Sequence, residues 1–158
     1  MNDKAGQMNG GAALVFPMAA AAVAIGVTFL SHKINLPSTV LYALYFAAFA
    51  AAAWASTFLT KAGKATGIAT DILGAVAGAV GSYLVTSILF AAALGKGSGN
   101  LALTDNAAAV GGAIGGIITA VMTLVIGIAG SIAGATVGAS MKDKALAATP
   151  PQSYAQAA

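Results

Sequence analysis

Acid–base, nucleophilic and metal chemistry all need side chains that hold or move charge, and this chain of 158 residues has few of them. It carries four Asp, seven Lys and one His, with no Glu, Arg or Cys. Without cysteine there is no disulfide, no thiolate nucleophile and no thiolate metal site. His32 stands beside Lys33 with no carboxylate near it in sequence. A lone imidazole makes neither a metal site nor an oriented nucleophile–base pair. Asp71 and Asp105 each follow a threonine at the foot of an apolar run, a pairing that predicts helix N-caps. The helices they open run in opposite directions, which puts the two carboxylates on opposite membrane faces, about 30 Å apart. They cannot form a dyad within one chain. The sequence therefore predicts no catalytic residue, no cofactor, no metal and no enzyme.

The lysines follow one rule. Lys33, Lys61, Lys96 and Lys142 come just after apolar runs, and Lys64 and Lys144 lie close behind. Cations are favoured at helix C-termini and anions at N-termini, and lysines there also reach phosphate headgroups. These six read as membrane-edge anchors. A pI near 9.3 reflects a net charge of only +3. Scattered lysines, with no arginine and no interleaved aromatics, predict no nucleic-acid partner.

The elements that carry these residues follow from composition. Hydrophobic residues make up 59% of the chain and charged residues 7%, with a mean hydropathy of +0.89. An ordinary soluble domain is about 25% charged, so this one has too few charges to solvate a water-facing surface. The expected fold is an all-α integral membrane protein, a bundle of four transmembrane helices with close-packed, glycine-rich third and fourth helices. A span needs about 20 apolar residues. Four runs qualify, at 12–31, 37–60, 71–94 and 106–141, followed by a polar tail at 142–158. The whole chain, 1–158, reads as one membrane domain. The fourth run would be about 54 Å long as one helix, more than the bilayer core, so a turn or two is expected outside it. Pro17 predicts a helix start or a bend close to Phe16. With the N-terminus inside, Lys4, Lys61, Lys64, Lys142 and Lys144 fall on one side and Lys33 and Lys96 on the other. That bias predicts a multi-pass protein with both termini cytoplasmic.

Glycine carries the strongest pattern. Gly112, Gly116, Thr119, Thr123, Gly127, Gly130, Gly134 and Gly138 follow one another at steps of 4, 3, 4, 4, 3, 4 and 4, which puts a small residue on one helical face at every turn. Gly74, Gly78 and Gly81, with Ser82, form a shorter version in the third run. In lipid, apolar burial does not drive helices together, so association depends on close backbone approach, which glycine permits. Residues 70–81 also match 104–115 at seven of twelve positions, although alanine and glycine bias accounts for much of this. In the second run, Tyr42, Tyr45, Phe46 and Phe49 share a bulky face beside a smooth one of Ala43, Ala47, Ala50 and Ala51. That bulky face is expected to meet lipid or a partner.

Proton relays, ion-coupled transport and voltage sensing use ionisable groups inside the membrane. Every carboxylate is expected outside or at the end of a span, which excludes those classes. Two readings remain. The first is a non-catalytic structural or accessory subunit of a larger membrane-embedded assembly, a protein complex, membrane-containing particle or filament. Its partners would be lipid and other membrane subunits or copies of itself. The second is a passive oligomeric pore lined by Ser82, Thr86, Thr119 and Thr123.

Overall fold

The computed structural model describes residues 10–60, 64–95 and 102–148, and the side-chain surroundings of 14–60, 64–93 and 110–148. The described residues form four α-helices: α1 (Gly10–Ile34), α2 (Ser38–Leu59), α3 (Lys64–Gly95) and α4 (Ala102–Ala148). Each is long and apolar enough to cross a membrane. Alanine and leucine favour these helices intrinsically, and the β-branched valines and isoleucines are carried because their neighbours are small. α1 ends at a tight connection in which Asn35 takes a left-handed φ of 50°, a conformation asparagine tolerates better than most residues. Pro37 follows with φ −56° and ψ 139°, and its carbonyl accepts the Val40 and Leu41 amides at 3.0 and 3.1 Å. α2 thereby starts within a few residues of the end of α1.

The helices alternate in direction, but their spatial order is not their sequence order. α1 packs on α2 and α3, and α4 packs on α2 and α3, while the consecutive helices α2 and α3 meet only sparsely across the diagonal. The order around the bundle is α1–α2–α4–α3. The two pairs of parallel neighbours, α1 with α3 and α2 with α4, are separated in sequence by an intervening helix.

Several boundaries differ from the sequence reading. α1 runs through Pro17 from a start at Gly10, so this proline opens no helix, and His32 and Lys33 close α1 where a loop was expected. α3 begins at Lys64, not at 71. Lys64 is thus the first residue of a helix, and Asp71 lies two turns inside it. α4 continues through Lys142 and Lys144 to Ala148, so the first seven residues of the expected tail are helical. At 47 residues it is about 70 Å long at 1.5 Å per residue. Lys61, Lys96 and the segment 149–158 lie outside the described residues, and so does the side chain of Asp105.

The interior is small. Ala20, Ala24, Tyr45, Phe49, Ala52 and Ala75 form the buried cluster, with Phe16, Leu41, Leu124 and Ile126 packed around it. Large apolar residues instead stand exposed along every helix, among them Val15 and Phe29 on α1, Leu44 on α2, Val80 and Ile88 on α3, and Ile117 and Val125 on α4. In water such a surface would be a contiguous aggregation patch.

Candidate functional site

The described residues hold no group of three or more metal-ligating side chains. What the bundle does build is a set of backbone-close helix contacts and two buried polar clusters.

The glycines divide among three interfaces. On α3, a Cβ placed on Gly74 would stand 2.6 Å from the Pro17 carbonyl oxygen, one on Gly78 would stand 3.5 Å from Ala21 Cα, and one on Gly81 would overlap the Ile25 side chain. These three positions face α1. On α4, Gly112 lies against the Ser87 carbonyl and Phe90, and Gly116 against Ser87 and Tyr83, all on α3. Gly127 sits where α2 and α3 both reach α4, with Ala75 Cβ 2.9 Å and Phe49 3.2 Å from a built Cβ. From there the stripe turns to α2. Built Cβ atoms on Gly130 and Gly138 would lie 2.8 and 3.0 Å from the carbonyl oxygens of Phe46 and Trp54, and one on Gly134, between them, would overlap the Ala50 carbonyl oxygen. Those partners are themselves four residues apart, so the two parallel helices stay in register over two turns. Gly115, aligned with Gly81 in the apparent repeat, meets only Thr86 Cγ2 at 3.9 Å. The repeat therefore gives its two copies different surroundings.

The aromatic face of α2 is split. Tyr45 and Phe49, one turn apart, are fully buried, whereas Phe46 is 42% exposed. Phe49 crosses the centre of the bundle to within 3.1–3.3 Å of built Cβ atoms on Gly78, Gly127 and Gly130. The glycines at 78 and 127 make room for the ring, and Gly130 for its Cβ. Trp54 stacks on Phe58 with centroids 5.3 Å apart, and its indole N–H donates to Met141 Sδ at 3.3 Å.

The first polar cluster centres on Thr28. Its hydroxyl donates to the Ala24 carbonyl at 2.8 Å and thereby uses its only proton. Tyr45 Oη at 2.5 Å and Ser82 Oγ at 3.0 Å must then donate to Thr28 Oγ1. One threonine oxygen joins α1, α2 and α3, and every hydroxyl in the trio is satisfied. Thr28→Val removes the shared acceptor and leaves two buried donors unpaired, an expected loss of about 1 to 3 kcal/mol. Tyr45→Phe alone should cost about 1 kcal/mol. The double variant should cost less than the sum, because the valine substitution has already stranded the phenol. SDS unfolding of the four proteins in mixed micelles measures the coupling.

The second cluster lies at the other end, where α2 finishes and α3 starts. Asp71 is fully buried. Ser56 Oγ donates to Asp71 Oδ2 at 3.3 Å, while Asp71 Oδ1 and Thr57 Oγ1 have no hydrogen-bond partner. The expectation that Asp71 caps a helix at the membrane face is therefore wrong. The helix is already two turns long where it reaches this residue, and the carboxylate turns into the bundle. Asp71 lies within the apolar stretch Lys64–Ala93, so the expectation that every carboxylate stands outside or at the end of such a stretch does not hold.

The described lysines take separate roles. Lys142 Nζ donates to the Thr60 carbonyl at 3.0 Å and fastens the end of α4 to the end of α2. Lys33 Nζ stands 5.7 Å from the Phe29 ring centroid, a cation–π distance. Lys64 and Lys144 are exposed on their helices. His32 Nε2 is 3.5 Å from Thr86 Oγ1 and, with Lys33, Leu89 and Phe90, borders a groove of about 280 Å³ between the ends of α1 and α3.

The four hydroxyls of the pore reading are mostly turned inward. Ser82 and Thr123 are fully buried and Thr86 nearly so. Thr119 and Thr123 donate to the Gly115 and Thr119 carbonyls, one turn back on their own helix. No protein-family model, curated protein or solved structure matches this chain.

Proposed function

We propose that this chain is a multi-pass membrane protein with a structural role, a packing subunit of a larger membrane-embedded assembly that works through glycine-mediated helix contacts. The observation that carries the reading is the register of Gly130, Gly134 and Gly138 on the α2 carbonyls, at separations where a Cβ would force α2 to shift at 130 and 134 and would be tight at 138. Lipid competes with apolar side chains on equal terms, so contacts at backbone range, with dispersion and weak Cα–H to carbonyl bonds, are what hold a bundle together in it. The exposed valines, leucines and isoleucines on all four helices then face lipid or neighbouring subunits. The described cations other than Lys142 stand exposed near helix ends, where headgroups lie.

The geometry favours packing over conduction because the hydroxyls that would line a pore are buried or bonded to their own helix. Purified protein reconstituted into liposomes should leave trapped potassium and a small fluorescent solute at the leak rate of empty vesicles. Flux that scales with protein amount contradicts the packing role and restores the pore.

Topology is tested separately. Lys142 bonded to Thr60 places the end of α4 beside the end of α2, and the lysine bias assigns that end to the cytoplasm. In this cysteine-free chain, single cysteines at Asn2, Ser98 and Ser153 should differ in labelling by an impermeant maleimide. Only position 98 should react from outside intact cells. Outside labelling at 153 would reverse the orientation.

A further inference from the structure

The second polar cluster is not explained by packing. Asp71 Oδ1 on α3 and Thr57 Oγ1 on α2 are both buried and both without a partner. Gly67, one turn before Asp71, is where α3 comes close to Thr57 and Ser56. A Cβ placed there would stand 2.6 Å from Thr57 Oγ1 and 3.6 Å from Ser56 Oγ. The missing side chain opens α3 toward both hydroxyls, and Ser56 also bonds the Asp71 carboxylate at 3.3 Å. Ser56 Oγ lies 3.1 Å from the Ala53 carbonyl as well, and its single proton can serve only one of these acceptors at a time.

A carboxylate enclosed in a helix bundle is costly unless a positive partner sits beside it. Among the described residues none does. On α4, Lys142 is held by the Thr60 carbonyl, and Asp143 and Lys144 are exposed. On α3 itself Lys64 lies two turns back and is exposed, and α2 contributes only Ser56 and Thr57 at this level. On α1, His32 and Lys33 are at the C-terminal end, beside Thr86 and Phe90 of α3, which puts them at the far end of the bundle.

We infer that Asp71, Ser56 and Thr57 form a binding site for one exchangeable monovalent cation, a proton or a sodium ion, between α2 and α3. The carboxylate supplies the charge and the two hydroxyls supply neutral oxygens. Both candidate ligands share the chemistry of a single positive charge on an oxygen donor set. The site goes beyond the packing role, since Gly130 and Gly134 meet α2 at Phe46, Phe49 and Ala50 and not at these residues; Gly138 alone of the three also reaches Thr57, whose Cβ lies 3.2 Å from a Cβ built there.

The test is modification of the full-length protein in mild detergent by dicyclohexylcarbodiimide, which enters apolar regions and reacts with the protonated carboxyl. Peptide mass spectrometry then locates the adduct. Asp71 should be modified in the folded protein, with a rate that falls as pH rises. Added sodium chloride that suppresses modification where choline chloride does not identifies sodium as the ligand. Suppression by pH alone identifies the proton. Thr57→Val, nearly isosteric and free of the unpaired hydroxyl, should move the sodium or pH midpoint by about tenfold in ion concentration, the loss of one neutral oxygen donor. Two results would overturn the site. One is an Asp71 that stays unmodified at every pH until SDS unfolds the chain. The other is a Thr57→Val midpoint identical to that of the parent protein. Neither bears on the contacts of Gly130 and Gly134 with α2, which do not involve Thr57 and are tested independently.

Discussion

Gly134→Leu is expected to break the α2–α4 contact and to cost about 3 kcal/mol, at the upper end of ordinary overpacking. A Cβ at this position would overlap the Ala50 carbonyl oxygen and lie 2.8 Å from its carbonyl carbon. Backbone cannot rotate away as a side chain can, so the whole of α2 would have to shift. Even alanine should therefore destabilise here. Alanine scanning should rank Gly134, where the overlap is outright, above Gly130 at a built distance of 2.8 Å, and Gly130 above Gly138 at 3.0 Å. Gly26, with nothing within 4 Å, provides the control. Alanine there should be neutral or stabilising by up to about 1 kcal/mol, its helix-propensity gain. Ile132→Leu, at a residue 48% exposed, should change little. SDS or thermal unfolding in detergent reads the series, and a flat response along α4 would reduce its glycines to composition.

Phe49→Ala should be comparably damaging, at about 3 kcal/mol. Truncating a buried phenylalanine typically costs about 3 to 5 kcal/mol, and the lower figure applies because lipid removes much of the transfer contribution while the lost dispersion remains. The ring fills space left by Gly78 on α3 and Gly127 on α4, so its removal opens a void that no single neighbour can close. Phe49→Leu should recover part of the loss. Phe46→Ala, on the same helix and half-exposed, should cost less than about 1 kcal/mol, as surface changes in general do. Equal effects at 46 and 49 would mean that the aromatic face of α2 does not divide between interior and surface.

That division shows where the sequence runs out. Four apolar runs, and the small-residue stripe within the last, are legible because period and length are properties of a single segment. The direction in which Tyr45 and Phe49 point is not. In a soluble helix the apolar face points inward, but lipid and bundle interior are both apolar, so pattern alone does not separate them. The ring order α1–α2–α4–α3 is hidden for a related reason, since the closest registers join helices that are not neighbours in sequence. Asp71 was misplaced by a local resemblance. Thr70-Asp71 has the form of an N-cap, and Lys64 through Thr70, with its glycine and two threonines, has the form of a loop. The helix nevertheless begins at Lys64, and the hydroxyl that meets the carboxylate comes from Ser56, fifteen residues earlier on another helix. Nothing within the segment marks its aspartate as buried.

Native mass spectrometry of the protein, extracted from its own membrane in a mild detergent, tests the packing role most directly. A structural subunit should leave the membrane in a fixed stoichiometry with other membrane polypeptides or with further copies of itself, and Gly134→Leu should deplete that complex. Recovery of the folded chain as a solitary monomer, with or without the glycine substitution, would contradict the account.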